Sequence, residues 1–420
     1  MNERTQRPRA ILFLLTATIS ISAALASATA TDAIGRTAPD EVRALWVTRA
    51  TLTSPARVTE MVNAAASAGF NTLLVQVRGR GDAYYRSSLE PRPTELVIRP
   101  DFDPLAEVLA RARPAAIAVH AWINVNLVSS AVELPSSPQH IVYRHPEWLM
   151  VPRGLVAEML GTSPDSPEYL GRLARWTRTH NDEVEGLYTS PIHAGATAHI
   201  ADIAAEVVRN YAVDGIHLDY ARFPNADFDY SPAAVREFTQ TVKGQLSGAE
   251  QRRLDVLAGV DPLAYTSRFP ERWQAFRQSR MNGLLMRVRT AIKSANPRAI
   301  ISAAVAPELD TAVGTKMQDW RTWLEQGLVD VLCPMTYTQD AELFERQVAA
   351  AADLAGPRPV WAGVAAYRLS GPATLRHIDL ARRSRAAGVV LFSYDALVSP
   401  PNSASSLAAL ARAAFAAGSQ

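Results

Sequence analysis

The stretch Val213-Asp214-Gly215-Ile216-His217-Leu218-Asp219-Tyr220-Ala221-Arg222-Phe223-Pro224 reads as a short strand that runs out in a carboxylate, a phenol and a guanidinium. Strand side chains alternate between two faces, so Ile216 and Leu218 share one side while His217 and Asp219 share the other. In a barrel of parallel strands, polar inward groups at a strand's carboxyl end line the active-site mouth, whereas the middle layers are branched apolar packing. Asp219 is therefore the first catalytic candidate, with His217, Tyr220 and Arg222 beside it. The competing structural reading is a buried acid held by Arg222 in an ion pair.

Working outward, seven further apolar runs read as strands: Val42 to Thr48, Thr72 to Arg78, Ala116 to Asn124, Ile300 to Ala306, Val329 to Tyr337, Pro359 to Val364 and Val389 to Tyr394. Helical patterns separate them. Ser54-Pro55 opens a helix whose Val58, Met61, Val62 and Ala65 share a face before Gly69 stops it, and Asp103-Pro104 opens another. Ile200, Ile203, Ala204, Val207, Val208 and Tyr211 fall at helical spacing ahead of the Asp219 strand. Eight strands alternating with helices predict an α/β chain folded as a (β/α)8 barrel. Two connections, Val125 to Ala194 and Asn225 to about Trp273, are far longer than ordinary strand-to-helix loops, which predicts long insertions after strands 3 and 4. Their Tyr143, Trp148, Tyr169, Trp176, Tyr188, Phe228 and Tyr230 would suit walls that stack on sugar rings, or would pin the insertions themselves.

The chain has 420 residues, 48% hydrophobic and 20% charged, enough for a large core. Its 43 Lys and Arg against 41 Asp and Glu are scattered, so nothing tracks a phosphate backbone and no nucleic acid is expected as a partner. Arg4, Arg7 and Arg9 precede an apolar stretch from Ala10 to Leu25, followed by Ala26-Ser27-Ala28-Thr29-Ala30, the pattern of a cleaved secretory leader. The expected organisation is a signal peptide over residues 1–30 and a catalytic barrel over 40–420, exported to the periplasm or beyond, with no membrane anchor after cleavage. The single cysteine, Cys333, lies in an apolar run and reads as core packing, so the fold must hold without disulfides.

The strand ends collect Gln76 and Arg78 on the second strand; His120, Trp122 and Asn124 on the third; Glu308 and Asp310 after the fifth; Tyr337 after the sixth; and Tyr394 with Asp395 after the eighth. Two carboxyl groups facing one gap would allow hydrolytic acid–base work, one protonating a leaving oxygen and one attacking or activating water. Asp219 as nucleophile or base with Glu308 as acid is the simplest pair, Asp310, Asp395 and Asp82 being the alternatives. Gly79-Arg80-Gly81-Asp82 lacks the Gly-Lys-Ser/Thr of a phosphate loop and is read as a tight turn aiming Asp82 or Tyr84 at the mouth. Neither His120 nor His217 has metal-ligand spacing and the first strand contains no His, so no metal and no cofactor are expected. Both histidines are assigned to substrate contact or core hydrogen bonding. Nothing in the sequence sets an oligomeric state.

Gly215-Ile216-His217-Leu218-Asp219-Tyr220-x-Arg222-Phe223-Pro224 resembles the signature of the family-10 glycosyl-hydrolase-like proteins, bacterial exported barrels. Three further blocks resemble the same family: Glu41 to Thr48, Gly69 to Arg78 with Gly81-Asp82-Ala83-Tyr84-Tyr85, and His120 to Asn124. Where many relatives have two consecutive acids, this chain has Asp219-Tyr220, which leaves one carboxylate on the strand end. The resemblance implies a glycoside hydrolase acting on a polysaccharide or oligosaccharide, with peptidoglycan glycan strands as one candidate, and a non-catalytic carbohydrate-binding barrel as the alternative. Amino-terminal sequencing of the exported protein is expected to read from Thr29 or Thr31; an intact Met1 on exported material would remove the cleaved leader.

Overall fold

The computed structural model describes residues 41–400, 402 and 404–415; the leader expected over residues 1–30 lies outside them. Within the described residues the strands are β1 Val42–Val47, β2 Thr72–Arg78, β3 Ala118–Asn124, β4 Gly215–Asp219, β5 Ile300–Val305, β6 Val331–Pro334, β7 Trp361–Val364 and β8 Gly388–Phe392. All neighbouring pairs are parallel, in the order β6-β5-β4-β3-β2-β1-β8-β7. A parallel bridge between Leu332 and Val360, with the Leu332 N–H donating to Pro359 at 3.1 Å, joins the two ends of the sheet. The result is a nearly closed (β/α)8 barrel.

Parallel neighbours require crossovers, and here these are helices. They include Pro55–Ser67 after β1, Pro104–Ala112 after β2, Ala194–Asn210 after β3, Pro270–Ala295 after β4, Ala341–Ala355 after β6 and Gly371–Arg383 after β7. Ser54 and Asp103 cap the first two by accepting the Arg57 and Ala106 backbone N–H groups, and Pro follows each cap at a position where its missing N–H costs nothing. Helix Pro55–Ser67 buries Val58, Met61, Val62 and Ala65, and the chain leaves it through Gly69 at φ +75°.

Alternation along the strands divides the core. Leu45, Val47, Leu73, Val75, Ile216 and Leu218 face outward into the layer beneath the helices. Ala44, Trp46, Leu74, Trp122, Val331, Cys333, Trp361 and Val390 form a separate cluster inside the barrel, where Cys333 is fully buried packing. Some strands are shorter than the apolar runs suggest: Ala116, at φ 54°, turns the chain before β3, and successive tight turns through Thr336 and Tyr337 end β6.

The segments after β3 and β4 contain helices rather than bare loop. Pro167–Thr179, Pro232–Lys243 and Gly248–Ala258 pack with Trp273 and Phe276 around a second core. Of the two roles expected for the aromatics there, the structure fits pinning. Tyr169 and Tyr230 are buried in that core, Trp148 stacks on His145 at 3.9 Å and Trp176 on His180 at 4.0 Å. The Tyr143 hydroxyl donates to Pro135, that of Tyr188 to Glu185, and Phe228 meets Trp176 edge-on. They hold the layer together; none lines the cavity around Asp219.

Gly215 opens β4 where space is short. A Cβ there would lie 2.5 Å from the Ile300 carbonyl oxygen and 2.6 Å from His120 Nδ1. Gly215→Ala is expected to lower stability by about 1–3 kcal/mol through overpacking, read as a fall in Tm. An unchanged Tm would mean that both His120 and the β5 backbone at Ile300 give way without cost.

Candidate active site

The carboxyl ends of the strands surround a cavity of about 490 Å³. Gln76, Trp122, Asn124, Asp219, Tyr220, Arg222 and Tyr337, seven of the residues expected from the sequence, line it, together with Trp46, Arg49, Arg80 and Phe392. Register explains the convergence: Gln76 pairs with Trp122, Asn124 with Asp219, and Trp46 with Phe392. The amide of Asn124 organises one wall. Its Oδ1 accepts from the Trp122 indole at 2.8 Å and its Nδ2 donates to the Gly79 carbonyl at 2.6 Å, while Gln76 accepts the Arg49 N–H at 3.3 Å.

Asp219 is 6% exposed and is the only carboxylate among the described residues lining this cavity. Burial raises its pKa above the ordinary aspartate range; the Arg222 charge and a 2.7 Å hydrogen bond from the Tyr220 N–H pull it partly back. The ion pair that would have made Asp219 merely structural is absent from the described residues. Arg222 pairs instead with Glu185 at 3.1 Å, and its guanidinium lies over the Tyr220 ring at 4.2 Å. Burial weakens the Arg222 charge, but Tyr188, Asp219, Tyr220 and Glu185 together hold it firmly protonated. Tyr220 has φ 51°, a left-handed conformation that is costly for a ring-bearing residue and turns the chain sharply beyond Asp219.

Several expected site residues are elsewhere. His217 and His120 face inward but lie one layer down, because two residues along a strand is roughly 6.6 Å of depth. His217 Nε2 accepts the Trp46 indole N–H at 3.0 Å, which leaves its ring proton on Nδ1, facing Ser302 Oγ at 2.9 Å. Burial pushes His217 down to about 3 and His120 to about 4, so both are neutral packing groups. His120 meets Trp361 edge-on at 5.4 Å and its Nδ1 has no hydrogen-bond partner among the described residues.

Arg78 follows a register shift on β2 that re-aims it away from the cavity. It forks onto Glu90, Nη2 to Oε1 at 2.7 Å and Nε to Oε2 at 2.8 Å, with His199 Nε2 3.2 Å from Oε1. Burial would raise Glu90, but Arg78 and His199 outweigh it and hold the carboxyl at about 2. Tyr394 lies past the end of β8, where strand alternation has stopped, and is buried in the outer core. Asp82 faces an adjoining cavity and accepts the Arg80 N–H at 2.9 Å.

The acid expected to partner Asp219 is corrected most clearly. Glu308 is exposed, precedes helix Leu309–Lys316, and accepts from Gln347 at 3.1 Å on the outer surface. It sits beyond the end of β5, after Pro307, where strand phase no longer governs direction. Asp310 is also exposed, and Asp395 is occupied in accepting the Thr48 N–H and the Thr51 hydroxyl. Trp46 and Phe392, absent from the expected site, carried a usable signal: both occupy inward phase on strands whose neighbours face outward. Arg49 and Arg80 are loop residues with no periodicity to betray them.

This arrangement defines a glycoside-hydrolase-type barrel with its site at the strands' carboxyl ends. The chain belongs to the glycosyl hydrolase-like 10 family, whose model matches residues 41–375. It is 25% identical over 335 residues to glycosyl hydrolase DigH of Escherichia coli K12, a match covering 73% of this chain and 64% of DigH. It is 22% identical over 292 residues to glycosyl hydrolase YngK of Bacillus subtilis 168, covering 64% of this chain and 46% of that protein. The chain thus matches less than two thirds of the length of either relative. Among solved structures, the glycoside hydrolase domain of PgaB from Bordetella bronchiseptica aligns with TM-score 0.60 at 14% identity, over 88% of this chain and 98% of that one. The catalytic domain of a β-amylase from Paenibacillus polymyxa gives 0.58 at 12% identity over the same shares.

Glu90, His120 and His217 all have folded-state pKa values below their usual 4.5, 6.5 and 6.5. Groups depressed in the fold contribute stability that is present above their unfolded values and lost as pH falls through the folded ones. Denaturant melts are therefore expected to weaken steadily from about pH 6.5 towards pH 3. Glu90→Gln, which strands the buried Arg78 charge, is expected to cost about 3–5 kcal/mol at neutral pH; a loss under 1 kcal/mol would show that Arg78 finds water instead.

Proposed function

We propose that this protein hydrolyses O-glycosidic bonds of an exported or cell-wall polysaccharide, with peptidoglycan glycan strands as the leading candidate, and that Asp219 is its proton donor. One observation carries the reading: a single desolvated carboxyl group stands in a cavity walled by Trp46, Trp122, Tyr220, Tyr337 and Phe392. Aromatic walls suit the apolar faces of pyranose rings, and a carboxyl with a raised pKa stays protonated long enough to act as a general acid. The expected leader supports export, which would bring the protein to cell-wall glycan.

With Glu308 turned outward, the two-carboxylate scheme lacks its second member in the cavity. A sugar bearing a 2-acetamido group can supply that member itself. Asp219 then protonates the leaving oxygen as the acetamido carbonyl oxygen bonds to C1 and the glycosidic bond breaks; water attacking C1 returns a proton to the Asp219 carboxylate. Tyr220, pinned in its left-handed turn, fixes the Asp219 carboxyl through its N–H, and Glu185 holds Arg222 at a distance where its charge tunes Asp219 without bridging it. The lone carboxylate also favours a second reading, a carbohydrate-binding barrel without turnover.

Purified mature protein should be tested against defined glycans, including peptidoglycan with and without stem peptides. Asp219→Asn is expected to lower turnover about 10²–10⁴-fold while glycan binding persists; absence of turnover in the parent with retained binding would select the binding barrel. Replacing the substrate's 2-acetamido group by hydroxyl is expected to abolish cleavage. An acid fails as pH rises through its pKa, and Arg222 lowers that of Asp219, so Arg222→Met should move the basic limb of the pH profile to higher pH. A shift of the acidic limb instead would make Asp219 a base or nucleophile.

A further inference from the structure

Next to the Asp219 cavity lies a second, of about 480 Å³, and two side chains belong to the walls of both: Arg49 and Arg80. Arg49 opens the short turn Arg49–Thr53 after β1, and Arg80 lies in the loop after β2. Among the described residues neither guanidinium makes a hydrogen bond or ion pair; the bonds these residues do make run through their main chains, to Gln76, Asp82 and His140. The contrast with the neighbouring cations is sharp, since Arg78 forks onto Glu90 and Arg222 pairs with Glu185.

Both unpaired groups are partly buried and repel each other. Burial and the Arg49 charge outweigh the attraction of Asp82 and weaken the Arg80 charge, which an anion between the two would restore. Their placement is built. A Cβ at Gly79 would come within 2.2 Å of Arg49 Nη1 and 2.8 Å of its Cδ, so the bare glycine is what lets the Arg49 side chain lie across this loop. The Arg80 backbone is pinned twice, its N–H by Asp82 at 2.9 Å and its carbonyl by His140 Nε2 at 2.7 Å. Asp82, Glu95 and Glu133 line the adjoining cavity, but Asp82 holds the Arg80 main chain, Glu95 accepts from the Tyr84 hydroxyl, and the exposed Glu133 pairs with neither arginine among the described residues.

We propose that Arg49 and Arg80 together bind a carboxylate borne by the sugar chain, at a subsite next to the Asp219 cavity, so that the protein selects acidic glycans. Two planar guanidinium forks converging on one junction match a carboxylate's geometry, and a neutral sugar would leave both charges uncompensated. The same chemistry arises from a uronic acid or from a lactyl ether on an amino sugar. The inference takes from the hydrolase reading only that a glycan occupies the Asp219 cavity.

The test is equilibrium binding to the full mature Asp219→Asn protein, which removes turnover from the readout. The probes are an oligouronate and an amino-sugar oligosaccharide carrying free lactyl carboxylates, each beside its carboxyl-reduced counterpart. One carboxylated series is expected to bind about ten- to a hundredfold more tightly than its reduced form, as charge-assisted hydrogen bonds allow; which series does so identifies the source. Adding Arg49→Gln and Arg80→Gln together should erase that preference. Gly79→Ala, which displaces Arg49 but keeps its charge, should reduce it, with thermal melts confirming that each variant folds. No preference in the parent, a preference that survives the double substitution, or no binding of any probe overturns the proposal. Preference without wild-type cleavage would instead overturn the hydrolase reading alone.

Discussion

Closure of the parallel sheet forces every second side chain of each strand into a lumen, and the chemistry of the site follows from what that lumen will hold. Its lower layers take Ala44, Leu74, Val331, Trp361 and Val390, with the two histidines kept neutral among them. Of the two, His217 is satisfied on both nitrogens: it accepts from the Trp46 indole, and its other nitrogen meets Ser302. At the top layer the walls part, and there Gln76, Asn124 and Asp219 can stand in inward phase without being sealed. Depth along the strand, two residues at a time, separates a packing histidine from a cavity-lining aspartate on the same five-residue β4.

Charge around the mouth falls into two regimes. Arg78 and Arg222 have their own carboxylates, Glu90 and Glu185, and serve the protein: the first ties the loop after β2 to the end of β3, the second shades Asp219 without bonding it. Arg49 and Arg80 have no carboxylate partner among the described residues and stand where two cavities meet. The buried Asp219 and these free cations are both electrostatically costly in the folded chain. Such costs persist where a bound group offsets them, so their clustering in one cleft supports a binding and catalytic role for this end of the barrel.

The helical layer after β3 and β4 has a different part. Its aromatic residues stack on one another and on histidines, burying their faces within the insertion. The rings that line the Asp219 cavity come from the strands, Trp46, Trp122 and Phe392, and from Tyr337 just past the end of β6. The segment after β3 also supplies Glu185, which pairs with Arg222 at the mouth.

The barrel and the strand-borne half of the site were legible in the order of residues along the chain. Alternation is local, so Ile216 and Leu218 against His217 and Asp219 could be assigned faces before any contact was known, and Gln76, Trp122 and Asn124 followed by the same rule. Periodicity ends where a strand ends. Glu308 beyond β5 and Tyr394 beyond β8 had no phase to carry them, and packing turned both away from the mouth. Depth was equally illegible, because His217 and Asp219 share a face and only neighbouring strands show which is covered. It took the packed fold to show that Arg222 answers to Glu185 rather than Asp219, and that Arg49 and Arg80, far from β4 in the chain, share walls of the Asp219 cavity: ion pairs and cavity walls are made across the fold, between residues whose separation in sequence carries no sign of their contact.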